Sequence, residues 1–191
     1  MKHFFVIGNK TSESLSPTIF NHWFKKYNIS AKYYFLETTK SKFDQILNTN
    51  KQNKKIYGFN VTVPFKKNIL KHLDIKNIHA KNIGAVNCVT LGKKIKGINT
   101  DWIGYINSIK KEKISKNKKI LILGFGGAAK AIFYGLKYMG YKNINVFNRS
   151  KKAIKTQNTL KYTKKYSLVD DYLSDADLII NTTPTNPLNK K

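Results

Sequence analysis

The chain has 191 residues, 41% of them hydrophobic, with one cysteine and 36 basic against 10 acidic side chains for a formal charge of +26. That length and apolar content allow one sizeable domain or two small ones with buried cores. No apolar run approaches the ~20 residues of a membrane helix, MKHFFVIG is too brief for a secretory signal, and a lone Cys88 cannot form an internal disulfide. His3, His22, His72 and His79 lack metal-ligand spacing, so no metal is expected, and the chain is placed in the cytoplasm without a membrane partner. A lysine field this dense attracts polyphosphate, yet the lysines run from Lys2 to Lys191 with no recognition motif. No specific nucleic-acid partner is expected; anionic small molecules are favoured.

In chain order, KHFFVIG reads as a strand, and Ser16-Pro17 opens a helix to about Asn28 with Ile19, Phe20, Trp23, Phe24 and Tyr27 at helical spacing. KYYFLET is a second strand, Ser41 to Leu47 a helix, and IYGFNVT a third strand that must end at Pro64. VNCVT and KKIKGI form a hairpin around Leu91-Gly92, and a helix runs from Asp101 to about Lys111. The lysine-rich KEKISKNKK reads as a boundary, giving domains 1–113 and 114–191. The second half then offers strand 119–123, helix 127–139, strand 144–148, a weaker helix, a strand near Tyr166 to Val169 and the apolar DLIINTT. This βαβαβ pattern predicts a parallel sheet. The fold class is therefore α/β, a first domain with a mixed sheet followed by an incomplete Rossmann domain.

Gly124-Phe125-Gly126-Gly127-Ala128-Ala129 fits the G-x-G-x-x-A dinucleotide fingerprint, with a strand before and a helix after. Gly124 suits the tight turn, Gly126 the close approach of a pyrophosphate, Ala129 close helix packing, and the amides around Gly127 and Ala128 an anion. NAD-specific units place Asp or Glu after the second strand; this chain has Asn148, Arg149 and Ser150. A carboxylate there would repel a 2′-phosphate, whereas these three donate to it, so NADP(H) is the expected cofactor. Arg149, the single arginine, has the planar fork that holds phosphate bidentately.

Three more clusters, SESLSP at 12–17, GFNVTVPFKK at 58–67 and GAVNCVTLGKKIKGINTDWIG at 84–104, stand in register with LGFGGAAKA and FNRS. Together they resemble the shikimate dehydrogenase family from Val6 to Pro184. The resemblance implies NADPH-dependent reduction of 3-dehydroshikimate to shikimate, in the chorismate pathway of aromatic amino-acid biosynthesis. It implies Lys66 and Asp101 as the catalytic pair, with Ser14 and Ser16 on the substrate carboxylate. Thr62, Asn87 and Asp101 would hold ring hydroxyls, and Thr182, Thr183 and Pro184 would approach the cofactor. Taken singly, Ser16 and Asp101 read equally as helix caps, Asn60 and Thr62 as strand-end ligands of the backbone, and Lys66 as one lysine of many. Family chains continue well beyond Lys191, so this one is expected to be C-terminally truncated, with an exposed strand edge, reduced stability and doubtful activity. Quinate as the substrate, and a cofactor-binding module without catalysis, are the alternatives. Oligomeric state stays open, a homodimer being the association considered.

Overall fold

The computed structural model describes residues 1–156 and 159–183. Its contacts divide the chain into two units, Met1–Thr100 and Asp101–Lys191. In the first unit the elements are β1 (Lys2–Gly8), α1 (Ser16–Lys26), β2 (Ala31–Glu37), α2 (Phe43–Lys51), β3 (Ile56–Val61), β4 (Ile75–Lys76), α3 (Ile78–Ile83), β5 (Cys88–Thr90) and β6 (Lys96–Ile98). They form one mixed six-stranded sheet in the order β2-β1-β3-β5-β6-β4. β1 runs parallel to both β2 and β3, while β5 and β6 return antiparallel as the expected hairpin.

Alternation along the strands sorts the side chains onto two faces. Phe5 and Ile7 of β1, with Phe59 and Val61 of β3, bury against Phe43 and Leu47 of α2, Phe65, Ile69 and Leu73. The Phe5 and Phe59 rings, opposite each other in the register, stack at 4.9 Å, and Phe43 and Phe65 at 4.3 Å. On the other face α1 lays Phe20 on Tyr33 at 4.7 Å and Phe24 near Phe4 at 5.8 Å. Helices cover both faces of the sheet's parallel part, which leaves the C-terminal ends of β1, β2 and β3 as the edge from which loops emerge. The short β4 and α3 were not expected; two and six residues carry too little periodicity to be seen in sequence.

The second unit holds α4 (Asp101–Ile109), β7 (Ile120–Leu123), α5 (Gly127–Tyr138), β8 (Ile144–Asn148), β9 (Ala153–Thr156), β10 (Thr159–Tyr162), β11 (Lys164–Lys165), α6 (Asp170–Leu173) and β12 (Leu178–Asn181). Strands β11-β8-β7-β12 make the expected all-parallel sheet. Sequence placed the boundary after residue 113, whereas the contacts place it after Thr100. The reason lies in α4, which packs on α5 where Gly135 has no side chain. A Cβ there would stand 2.8 Å from Ile106 and 3.2 Å from the Trp102 carbonyl. Trp102 also meets Tyr134 and Tyr138 edge-on at 5.5 and 5.1 Å.

Two elements differ from expectation. The weaker helix after β8 is instead the antiparallel hairpin β9–β10, extended by mutual bonds between Lys152 and Thr163. AIKT and TLKY are rich in β-branched residues and offer no apolar stripe of helical period, so pairing wins over helix. The strand expected near Tyr166 to Val169 is confined to Lys164–Lys165; Tyr166–Leu168 already turn as a 3-10 segment into α6. Among the described residues, no helix is long and apolar enough to cross a membrane, and no group of three or more His, Cys, Asp or Glu is placed to hold a metal ion.

Candidate functional site

In the first unit the sequence-selected residues gather on the loops that leave the C-terminal ends of β1 and β3. The chain turns at Gly8 with very little room. A Cβ there would lie 2.4 Å from Thr62 Cγ2 and 3.0 Å from Thr11 Cγ2, so only glycine lets those two side chains close over the strand end. The loop after it is held by Glu37 at the end of β2. Its Oε1 accepts from the Thr11 amide (2.7 Å), the Ser12 amide (2.8 Å) and the Ser12 hydroxyl (2.9 Å). Ser14 then donates its hydroxyl to Ser16 Oγ at 3.2 Å and accepts the Ser16 amide at 3.2 Å. The helix cap is Leu15, with no side-chain cap bond, so Ser16 stands inside the first turn of α1 and its hydroxyl pairs with Ser14.

Thr62, Lys66 and Asn87 are tied to one another through the main chain. The Thr62 amide donates to the Ile7 carbonyl (2.9 Å), the Val61 amide to the Asn87 carbonyl (2.9 Å) and the Val86 amide to the Lys66 carbonyl (2.8 Å). Between Thr62 and Lys66 the chain passes a cis Val63–Pro64 peptide bond. Asn87 is fixed by both ends of its amide. Its Nδ2 donates to Thr100 Oγ1 at 2.8 Å, and its Oδ1 accepts the Thr100 amide at 2.8 Å. Behind it, Asn60 Nδ2 donates to the Asn87 carbonyl (3.0 Å) and Asn60 Oδ1 accepts from the Tyr33 hydroxyl (2.6 Å). Burial pushes the Tyr33 phenol far up, which keeps it a proton donor to Asn60. Gly8, Glu37, Tyr33 and Thr100 were not singled out from sequence. Only Thr100 had a visible signal, its place directly before Asp101 in the INTDW motif.

The tether at Glu37 has a pH signature. Bonds from Ser12 first, then from Thr11, hold this carboxyl below its ordinary value of 4.5. A depressed folded-state pKa adds stability that is fully present above the ordinary value and is lost as pH falls through the lowered one. Glu37→Gln is therefore expected to have a lower Tm than the parent at neutral pH. The difference should shrink on acidification, measured as paired Tm-versus-pH curves. Curves separated by a constant gap would show that the carboxylate does not hold the loop.

In the second unit Asp101 is the first residue of α4, in the first turn where the helix dipole favours a carboxylate. The glycine loop follows β7. Gly124 has φ +100° and its amide donates to the Phe147 carbonyl at 2.8 Å. A Cβ on Gly124 would strike Thr182 Oγ1 at 2.5 Å. Thr182 is anchored there by donating its hydroxyl (2.6 Å) and its amide (2.9 Å) to the Leu123 carbonyl. Thr183 donates its amide and hydroxyl to Asn181 Oδ1, at 2.9 and 2.7 Å. Gly126 differs: it is exposed, caps α5 in extended conformation, and a Cβ on it would meet no heavy atom within 4 Å. No side chain caps this helix and no acid lies in its first turn, over Gly127 and Ala128, while Ala129 is fully buried beneath. Asn148 donates Nδ2 to the Ser150 carbonyl at 2.9 Å, so Arg149 is carried on a closed turn and its side chain is exposed. Pro184 lies outside the described residues.

These residues fit a dinucleotide: an uncapped twelve-residue helix presents its amides, open space stands over Gly126, and a cation follows the next strand. Residues 6–89 match the profile described as shikimate dehydrogenase substrate binding domain, and residues 108–189 that described as shikimate / quinate 5-dehydrogenase. The shikimate dehydrogenase (NADP(+)) of Clostridium botulinum is 38% identical over 193 residues, which cover 97% of this chain and 72% of that protein. The crystal structure of shikimate dehydrogenase from Aquifex aeolicus is similar with a TM-score of 0.87 at 32% identity, covering 100% of this chain and 73% of that one. Shikimate 5-dehydrogenase from Thermus thermophilus, solved in complex with NADP(H) and shikimate, gives 0.71 at 30% identity over 78% of this chain and 57% of that one.

Proposed function

The chain belongs to the shikimate dehydrogenase family, and from that premise we propose that it reduces 3-dehydroshikimate to shikimate with NADPH. The observation that carries the reading is that two separate sets of residues, one in each unit, match the two halves of that chemistry. The first unit presents neutral hydroxyl and amide groups held by backbone bonds, which suits a polyhydroxylated ring. The second presents an uncapped helix behind a glycine turn, which suits a pyrophosphate.

Ser14 and Ser16 bind the substrate carboxylate, and their mutual bond sets both hydroxyls at one spot. Thr62 and Asn87 take ring hydroxyls. A site built to hydrogen-bond each hydroxyl rejects analogues that lack it, because its own polar groups are then left unpaired. NADPH, when bound, supplies the hydride that converts the ketone carbon to an alcohol carbon. The oxygen then needs a proton, and we assign it to the Lys66 ammonium, with Asp101 supplying a carboxylate to a substrate hydroxyl. Gly124, Gly126, Gly127 and Ala128 hold the pyrophosphate; Asn148, Arg149 and Ser150 hold the 2′-phosphate; Thr182 and Thr183 border the cofactor.

Loss of NADPH absorbance on adding 3-dehydroshikimate tests the reaction, with quinate and NADP(+) as the competing assay. Turnover of 3-dehydroshikimate is expected; a protein that binds NADPH and turns over neither substrate would be a binding module instead. The cofactor assignment has its own test. Arg149→Ala is expected to raise the Kd for NADPH about tenfold or more, because hydrogen bonds to a charged group contribute ~1.5–3 kcal/mol. The Kd for NADH should stay put, and an unchanged NADPH value would remove Arg149 from the site.

A further inference from the structure

The strand register brings a third residue to the place where Arg149 stands. Lys164 lies opposite Phe147 and Lys165 opposite Asn148 in the parallel pair β11–β8, so Tyr166 leaves β11 at the level at which Arg149 leaves β8. On the other side Leu123 lies opposite Phe147, and Gly124 follows with its amide on the Phe147 carbonyl. Three neighbouring strand ends thus deliver Gly124, Arg149 and Tyr166 to the C-terminal edge of one sheet, the edge at which ligands of such sheets bind. Tyr166 is half-buried where the 3-10 turn begins. Burial pushes its phenol up, while the charge of Arg149 and a hydrogen bond with the Gly124 backbone pull it down. Both groups therefore act on the phenol oxygen. A guanidinium has five donors and no acceptor, and a phenol oxygen can accept one donor while leaving the rest of the fork for a phosphate.

We propose that Tyr166 is a positioning residue for Arg149, holding the guanidinium through its hydroxyl so that the exposed side chain is preorganised for the 2′-phosphate. The inference rests on the reading of Arg149 given above. Its logic is entropic: an exposed arginine must lose rotamer freedom to bind, and a hydroxyl delivered beside it by the paired strand end lowers that cost. Tyr166 so contributes to the choice between phosphorylated and unphosphorylated cofactor without touching the reacting atoms.

The test is a set of fluorescence titrations with NADPH, NADH and 2′,5′-ADP on the parent protein, Tyr166→Phe, Arg149→Ala and the double variant. Tyr166→Phe keeps the ring and deletes the hydroxyl. It is expected to raise the Kd for NADPH and for 2′,5′-ADP about threefold to tenfold, the scale of one ordinary intramolecular hydrogen bond, and to leave NADH unchanged. In the double variant the loss should equal that of Arg149→Ala alone, since coupled residues are not additive. An unchanged NADPH-to-NADH ratio in Tyr166→Phe overturns the proposal, as does full additivity with Arg149→Ala. A merely structural role would weaken NADH as much as NADPH, which also overturns it. If the parent protein binds NADPH no better than NADH, or Arg149→Ala has no effect, the reading of Arg149 itself fails. If those two behave as expected and only Tyr166→Phe is silent, the failure belongs to Tyr166.

Discussion

Replacing Lys66 with alanine is expected to lower kcat by about 10²–10⁴-fold, the usual span for a positioned proton donor, while the Kd for NADPH stays at its parent value. That span corresponds to ~3–5 kcal/mol of barrier. The main chain at this position is held independently of the side chain, through the Val86 amide on the Lys66 carbonyl at 2.8 Å. The side chain is only half-buried, so alanine removes function with little change in packing. Lys66→Arg separates proton transfer from simple attraction. Arginine keeps the charge but does not deprotonate in proteins, so as a proton donor it should be nearly as slow as alanine. Were Lys66 only a binding contact, KM would rise with kcat unchanged, and arginine would rescue much of the loss. A Lys66→Ala protein turning over within a few-fold of the parent would take this residue out of the mechanism.

The larger elements could be read from the sequence because each carried either strict alternation or a full helical stripe. β8 was expected at 144–148 and lies at Ile144–Asn148, and the helix expected at 127–139 is α5, Gly127–Tyr138. The glycine turn was visible for the same reason: fixed spacing between a strand and a helix carries a geometric requirement. The residues that went unseen act through space instead. Glu37 is 25 positions from the Ser12 it holds, and Tyr33 is 27 from the Asn60 it bonds. No local pattern marks such partners. The hairpin β9–β10 went unseen for a different reason. Its lysines and threonines support neither a helical stripe nor a buried strand face strongly, and pairing between two four-residue segments decided the outcome. The boundary shifted because a lysine-rich loop looks like a linker, whereas the packing of α4 on α5 depends on the missing Cβ of Gly135, which composition does not reveal.

The two glycines of the fingerprint should fail in different ways, and the contrast tests the cofactor site without relying on turnover. Gly124 has φ +100°, a region that side chains rarely enter, and a Cβ would come within 2.5 Å of Thr182 Oγ1. Backbone strain of this kind costs about 1–3 kcal/mol. Thr182 cannot step aside freely, because its hydroxyl and amide both bond the Leu123 carbonyl at the end of β7. Gly124→Ala is therefore expected to lower the Tm and, by shifting the turn, to weaken NADPH by about tenfold to a hundredfold, as a loss of ~1.4–2.8 kcal/mol implies. Gly126 sits at φ −82°, which alanine adopts without strain, and its Cβ would point into open space. Gly126→Ala should leave the Tm unchanged, because nothing in the protein objects to the added methyl. If that space is where the pyrophosphate approaches the backbone, the same methyl should weaken NADPH and NADH alike, since both carry a pyrophosphate. Thermal unfolding and nucleotide titration on the two variants give four numbers that need not move together. Unaltered NADPH affinity in Gly126→Ala would place the pyrophosphate elsewhere. A fall in Tm for that variant would mean that the loop is packed more tightly than the open space over Gly126 allows.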